Sequence, residues 1–159
     1  MTRLLSILAL CLIPMGASAQ SLVFSLGATD FHESDAGDPV QGGIDVLTRP
    51  FRSLGPVDLE LGVAATVDFE GNAWLGAGLA ATADLGALYY VEGSVMPGWF
   101  HASDDALESD GTVRSLIGVG RRFGPATSVA LAVSHRSALG SDDRNGAHND
   151  LTLRLRREF

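Results

Sequence analysis

Two long stretches of strict alternation constrain this chain more than any other feature. In "VDLELGVAATVDF" (57–69), Val57, Leu59, Leu61, Val63, Ala65, Val67 and Phe69 share one face. Asp58, Glu60, Gly62, Ala64, Thr66 and Asp68 share the other. "AWLGAGLAATADL" (73–85) repeats the pattern, with Leu75, Ala77 and Leu79 opposed to Gly76, Gly78 and Thr82. A period of two is the signature of a β-strand with chemically different faces. These runs exceed the five or six residues of a common globular strand and match the roughly nine to eleven of a membrane-spanning one.

The same reading cuts the chain into eight strands near 21–31, 42–51, 57–69, 73–86, 88–100, 112–123, 128–139 and 150–159. The connections alternate in character. "RSLGP", "LGA" and "GPAT" are turn-like, whereas "HESDAGDPVQ", "HASDDALESD" and "SDDRNGAHN" are long, polar and acidic. Only "EGN" (70–72) is short where a long loop is expected. Short turns at one end and long loops at the other are the asymmetry of a bacterial outer-membrane barrel. The expected fold is therefore all-β, an eight-stranded antiparallel transmembrane β-barrel, ending on Phe159 after an alternating strand.

The N-terminus fits that destination. Arg3, the apolar run Leu4 to Ile13, and Ala17-Ser18-Ala19 before Gln20 have the layout of a secretory signal peptide (1–19) preceding a single barrel domain (20–159). The apolar run is too short to span a bilayer as a helix, and no stretch of eighteen apolar residues follows it. Lipidation at Cys11 is disfavoured by the bulk of Leu10. Cleavage removes the only cysteine, so neither a disulfide nor thiol chemistry is expected. It also takes Arg3, moving the formal net charge from −8 to −9. The positive charges are all arginine, and so acidic a chain is a poor nucleic-acid binder.

A soluble eight-stranded barrel or sandwich would also alternate. It is disfavoured by the small, polar face, which carries Asp58, Glu60, Asp68, Asp84, Glu92, Arg114, Arg154 and Arg156. Those charges can pair inside a narrow barrel while the Leu/Val/Ala face meets lipid.

In "SVALAVSHRSAL" (128–139) the apolar face is Val129, Leu131, Val133, His135, Ser137 and Leu139. Ser134 and Arg136 point inward. His135 and Ser137 thus fall on the outer wall near the loop end. Residues two apart on one face are separated by about 7 Å, within reach of an imidazole–hydroxyl hydrogen bond. An imidazole that takes the hydroxyl proton turns serine into a nucleophile. Polar residues closing a strand are the simpler alternative.

Three segments together, "YYVEGSVMPGWF" (89–100), "TVRSLIGVGRRF" (112–123) and "VALAVSHRSALGSDDRNGAHNDLTLRL" (129–155), resemble the PagL-type outer-membrane lipid A 3-O-deacylases, or acyloxyacyl hydrolases. The first is similar to the family's Glu-x-x-x-x-Pro-Gly strand and the last to its His-x-Ser-Asn motif; the first half of the chain matches only in strand pattern. The resemblance implies hydrolysis of an acyl ester of lipid A in lipopolysaccharide, without a cofactor or metal. It assigns Ser137 as nucleophile, His135 as general base and Asn149 as the residue that holds the imidazole. Here the chain departs from the family: Ala138 stands where Asn usually follows the serine, and Asn149 stands where Glu is usual. Backbone N–H groups of "LGS" (139–141) are possible substitute oxyanion donors, and Asp150 could replace Asn149 if a bulge shifted the register. Asn145 remains from the family's Asn-Pro-Gly loop. A catalytically impaired barrel with a structural or interaction role is the alternative that these departures raise.

Other polar groups read as scaffold. His32, His101 and His148 are expected in loops, without a metal-ligand spacing. Asp104/Asp105 and Asp142/Asp143 lack a calcium-loop pattern. Glu92 and Arg114 belong to the expected interior ion network. "GVGRRFG" (118–124) lies on a strand with no helix after it, so it is not a phosphate loop. Tyr89, Tyr90, Trp99 and Phe100 are expected in an interfacial girdle.

Overall fold

The computed structural model describes residues 19–29, 40–103, 111–139 and 148–159. The signal-peptide expectation, apart from Ala19, lies outside them, as do His32, Asp104/Asp105, Asp142/Asp143 and Asn145. The strands are β1 (Ala19–Thr29), β2 (Val40–Thr48), β3 (Arg52–Leu54), β4 (Val57–Asp68), β5 (Ala73–Asp84), β6 (Tyr89–His101), β7 (Gly111–Arg122), β8 (Thr127–Ala138) and β9 (His148–Glu158). All pairings are antiparallel between chain neighbours, except that β1 also pairs with β9 and β2 with β4. β3 is a three-residue flap on β4, so the other eight strands form a closed barrel.

The eight strands stand where the alternation puts them, with two corrections. The second strand runs 40–48 rather than 42–51, because the chain turns at Thr48 and Pro50 has no N–H for a ladder. The Thr48 hydroxyl instead caps the corner, donating to Arg49 O and accepting from Leu61 N. The turn-like "RSLGP" then contains β3, which folds back on Val57–Leu59 around Gly55 at φ 62°.

The short "EGN" connection is a tight hairpin at the loop end. Gly71 takes φ 91°, and Asp68 accepts from both the backbone and the side chain of Asn72. Asn72 in turn accepts from Ser103 N, tying this hairpin to the end of β6. Asp68 is therefore a turn anchor, not a member of the interior network.

Inside and outside are inverted relative to a soluble protein. Large apolar side chains such as Leu131, Leu153 and Ile117 face outward and are exposed, Ile117 at 65 %. Among the described residues, four carboxylates (Asp45, Glu60, Glu92, Asp150) and four guanidiniums (Arg114, Arg136, Arg154, Arg156) are buried within. Asp45 on β2 accepts from Arg114 (3.3 Å) and Arg154 (2.8 Å), and Arg154 also donates to Glu92 at 2.7 Å. Arg156 donates to Glu60 and to Thr82. Around these ions pack Val23, Leu47, Trp74, Met96 and Phe100, with Trp74 donating to Thr112 at 2.9 Å. Burying eight charges is tolerable only because each finds a partner, Arg136 and Asp150 on neighbouring strands and the others across the lumen. An apolar exterior of this extent belongs in a bilayer, since exposed patches beyond a few hundred Å² are rare in soluble monomers.

Two further expectations about the inner face change. Asp58 is half-buried on Ser53, and Asp84 pairs with Arg122 at the exposed turn end, so neither joins the lumen network. Of the four aromatics expected in the girdle, Tyr89 and Trp99 do face outward; Tyr90 and Phe100 are buried inside by strand parity.

Candidate active site

β8 lies between β7 and β9, and its outward face carries His135 and Ser137 as the alternation requires. Cross-strand pairing sets Asn149 of β9 directly beside His135, and Ser115 of β7 on its other side. The His135 Nδ1 lies 2.9 Å from Asn149 Oδ1. Ser137 is the next outward residue along β8, opposite Val113. Ser115, His135 and Asn149 thus form one polar row across three strands, edged by Val113, Val133, Ile117 and Leu151.

The inner face fixes this row. Ser134 and Asp150 are paired in the ladder, with Ser134 Oγ donating to Asp150 Oδ2 at 2.8 Å and the Arg136 guanidinium 3.8 Å from the same oxygen. Asp150 is 1 % exposed. A one-residue slip would turn Asp150 outward and bury Asn149. The β8–β9 ladder has no bulge here, so Asn149, not Asp150, is the residue beside the imidazole.

An imidazole that donates Nδ1–H to the Asn149 carbonyl keeps its lone pair on Nε2, the form a general base requires. The row faces sideways into the apolar surroundings, so any substrate must reach it laterally. Of the suggested oxyanion donors, Leu139 N is already committed to Gly111 O at 2.8 Å, while Gly140 and Ser141 lie outside the described residues. Ala138 ends β8 half-buried with inward parity, paired with Thr112.

Sequence reasoning missed Ser115. Its signal was available, because it is a hydroxyl among the outward Val113, Ile117 and Val119 of β7. His101 and His148 are strand ends rather than loop residues, and His148 packs its ring 5.7 Å from Phe100. Among the described residues, no three His, Cys, Asp or Glu side chains converge as a metal site.

No family model matches the chain, and no curated protein matches it in sequence. Solved structures do. The outer membrane enzyme PagL superposes with a TM-score of 0.67 at 15 % identity, over 87 % of this chain and 99 % of that one. Ail, the attachment invasion locus protein of Yersinia pestis, gives 0.58 at 12 % identity over 89 % and 97 %. Neisserial surface protein A gives 0.56 at 10 % identity over 87 % and 95 %. At such identities the likeness establishes the fold, that of outer-membrane barrels.

Proposed function

We propose that the chain is exported to the outer membrane and hydrolyses an acyl ester of lipid A in the outer leaflet, at the 3-O position by its resemblance to the deacylases. Ser137 Oγ attacks the ester carbonyl while His135 Nε2 takes its proton. The same imidazole returns that proton to the departing sugar hydroxyl. Water, activated by His135, then releases the fatty acid from Ser137. Asn149 holds the ring in the tautomer that makes this possible, as a neutral amide does in papain-like proteases.

The observation that carries the reading is the Asn149–His135 hydrogen bond, set in a largely apolar outer wall with Ser137 next in line. Three polar residues in one row of that wall have little to gain from lipid unless they serve a lipid substrate. The likeness to an outer membrane enzyme adds support.

A second reading, a barrel of structural or interaction role, is favoured by Ala138 and by the commitment of Leu139 N to the ladder. Ail and Neisserial surface protein A have the same fold. The test is to refold residues 20–159 in detergent, incubate with lipid A and follow released fatty acid beside Ser137→Ala. Release of a 3-hydroxy acyl chain that disappears in the variant supports the hydrolase. No release from a folded barrel supports the second reading.

A further inference from the structure

The outward wall of β2, β4, β5 and β6 is not flat. One cross-strand row runs Gly42, Val67, Ala73, His101, and the next runs Ile44, Ala65, Leu75, Trp99. Small and large side chains alternate along the first row, and the second has one small residue, Ala65, among large ones. Between them lies an open apolar cleft of about 600 Å³, with His101 in its lining at the loop end. That volume is in the range of small-molecule sites, roughly 300–1,000 Å³. Gly42 contributes no side chain to its lining, and a Cβ added there would enter open space, with no atom within 4 Å.

The cleft ends at Trp99 and His101, two strands short of Ser137 on β8. The row through Leu75 and Trp99 continues to Gly111 of β7. Beyond Gly111 stands Leu139, 3.7 Å from where a Cβ on Gly111 would lie, and Leu139 is the next outward residue after Ser137. Gly111 leaves the wall low between Trp99 and Leu139. Three strand spacings, about 14 Å, separate Ser137 from the middle of the cleft.

We infer that this cleft binds one acyl chain of a lipid that carries several chains on one headgroup, while another chain of the same molecule lies at Ser137. The link to Ser137 rests on the proposed hydrolase; the cleft itself rests on its own geometry. A lipid with a single chain cannot occupy both places. The apolar lining recognises the chain, and His101 stands where the headgroup begins. Binding a chain that does not react would orient the ester that does, the use to which remote binding contacts are put in catalysis.

The test uses fluorescence and needs no turnover. Trp99 stands on the cleft and is 58 % exposed, whereas Trp74, the only other tryptophan, borders the same cleft but is 1 % exposed, and its share of the signal is read from Trp99→Phe. Residues 20–159 carrying Ser137→Ala, which keeps any ester intact, are refolded into vesicles. Lipid A with brominated chains, or a two-chain phospholipid brominated alike, is doped in at equal low mole fraction. Lipid A is expected to quench Trp99 beyond its mole fraction, and the phospholipid only in proportion to it. Gly42→Leu, with a folded barrel confirmed by its cold-gel mobility, is expected to weaken the lipid A quench by roughly tenfold in apparent affinity, as when about two methylenes lose their burial. Equal quenching by the two lipids, or a Gly42→Leu curve matching that of the unfilled cleft, would overturn the inference. Selective quenching beside absent hydrolysis in the Ser137 protein would remove the proposed reaction and leave the lipid site standing.

Discussion

Asp45→Asn tests how this barrel holds charge in its interior. Asp45 is 1 % exposed and is the carboxylate shared by Arg114 on β7 and Arg154 on β9. The variant keeps the shape and one acceptor but removes the negative charge. Arg154 retains Glu92 at 2.7 Å, whereas Arg114 is left with a 3.6 Å contact to Met96 Sδ and the Trp74 ring 4.7 Å away. Breaking a buried pair from one side costs about 3 to 5 kcal/mol. The surviving Glu92 contact places this case near 3. With an unfolding slope of about 2 kcal/mol per M, the urea midpoint falls by roughly 1.5 M. The assay is a urea titration of the barrel in vesicles, read by the mobility shift of folded barrel on cold gels. Asp84→Asn is the control. Its pair with Arg122 is solvent-exposed, worth at most about 1 kcal/mol, so its midpoint moves by less than about 0.5 M. Adding Arg114→Met to Asp45→Asn removes the stranded cation and recovers most of the loss. A midpoint for Asp45→Asn no lower than that of Asp84→Asn, or a double variant no better than the single, would show that water, not Asp45, solvates these arginines.

Three further outcomes are expected. Asn149→Ala frees the imidazole and lowers the rate of ester hydrolysis about fivefold, since a neutral hydrogen bond is worth about 1 kcal/mol; an unchanged rate removes Asn149 from the mechanism. Ala138→Asn raises the rate, by up to about 10²–10³-fold if the amide reaches the oxyanion, and a flat result counts against a missing donor as the weakness of this site. Trp74→Phe loses the hydrogen bond to Thr112 and costs about 1 kcal/mol in the urea titration, and no shift would mean that water substitutes for the indole N–H inside the barrel.

Much of this structure was legible because a bilayer asks so little of the outer face. Leu59, Leu61 and Val63 against Glu60 and Gly62 declare both the strand and its orientation, and the same rule set His135, Ser137 and Asn149 outside and Asp150 inside. What alternation cannot convey is where a strand stops. Asp58, Asp68 and Asp84 have the parity of Glu60 and Glu92, yet they sit at strand ends, where a turn or solvent offers partners nearer than the lumen. Asp45 escaped notice for the opposite reason. Its strand, "VQGGIDVLT", is interrupted by two glycines that dilute the period, although Asp45 is the acid to which two arginines converge. Ser115 stands out in the sequence as a hydroxyl among outward apolar residues, but only the β7–β8 register sets it beside His135.

The placement of the polar row also bears on the order in which the molecule assembles. His135 and Asn149 are 14 residues apart, on the two arms of a single hairpin, so their contact can form early and cheaply. The seam that makes the sheet a cylinder is different: Ser21 must find Glu158 and Leu22 must find Arg157, from opposite ends of the chain. Loop-closure entropy makes such a pairing a late event. Between those two events β9 has its β8 edge paired and its β1 edge open. A barrel halted at that stage already has His135 and Asn149 side by side, but its charged lumen stands open to water. Assembly then reads as a timing problem: the His135–Asn149 contact forms on a local hairpin, and the β1–β9 seam that closes the charged lumen forms last.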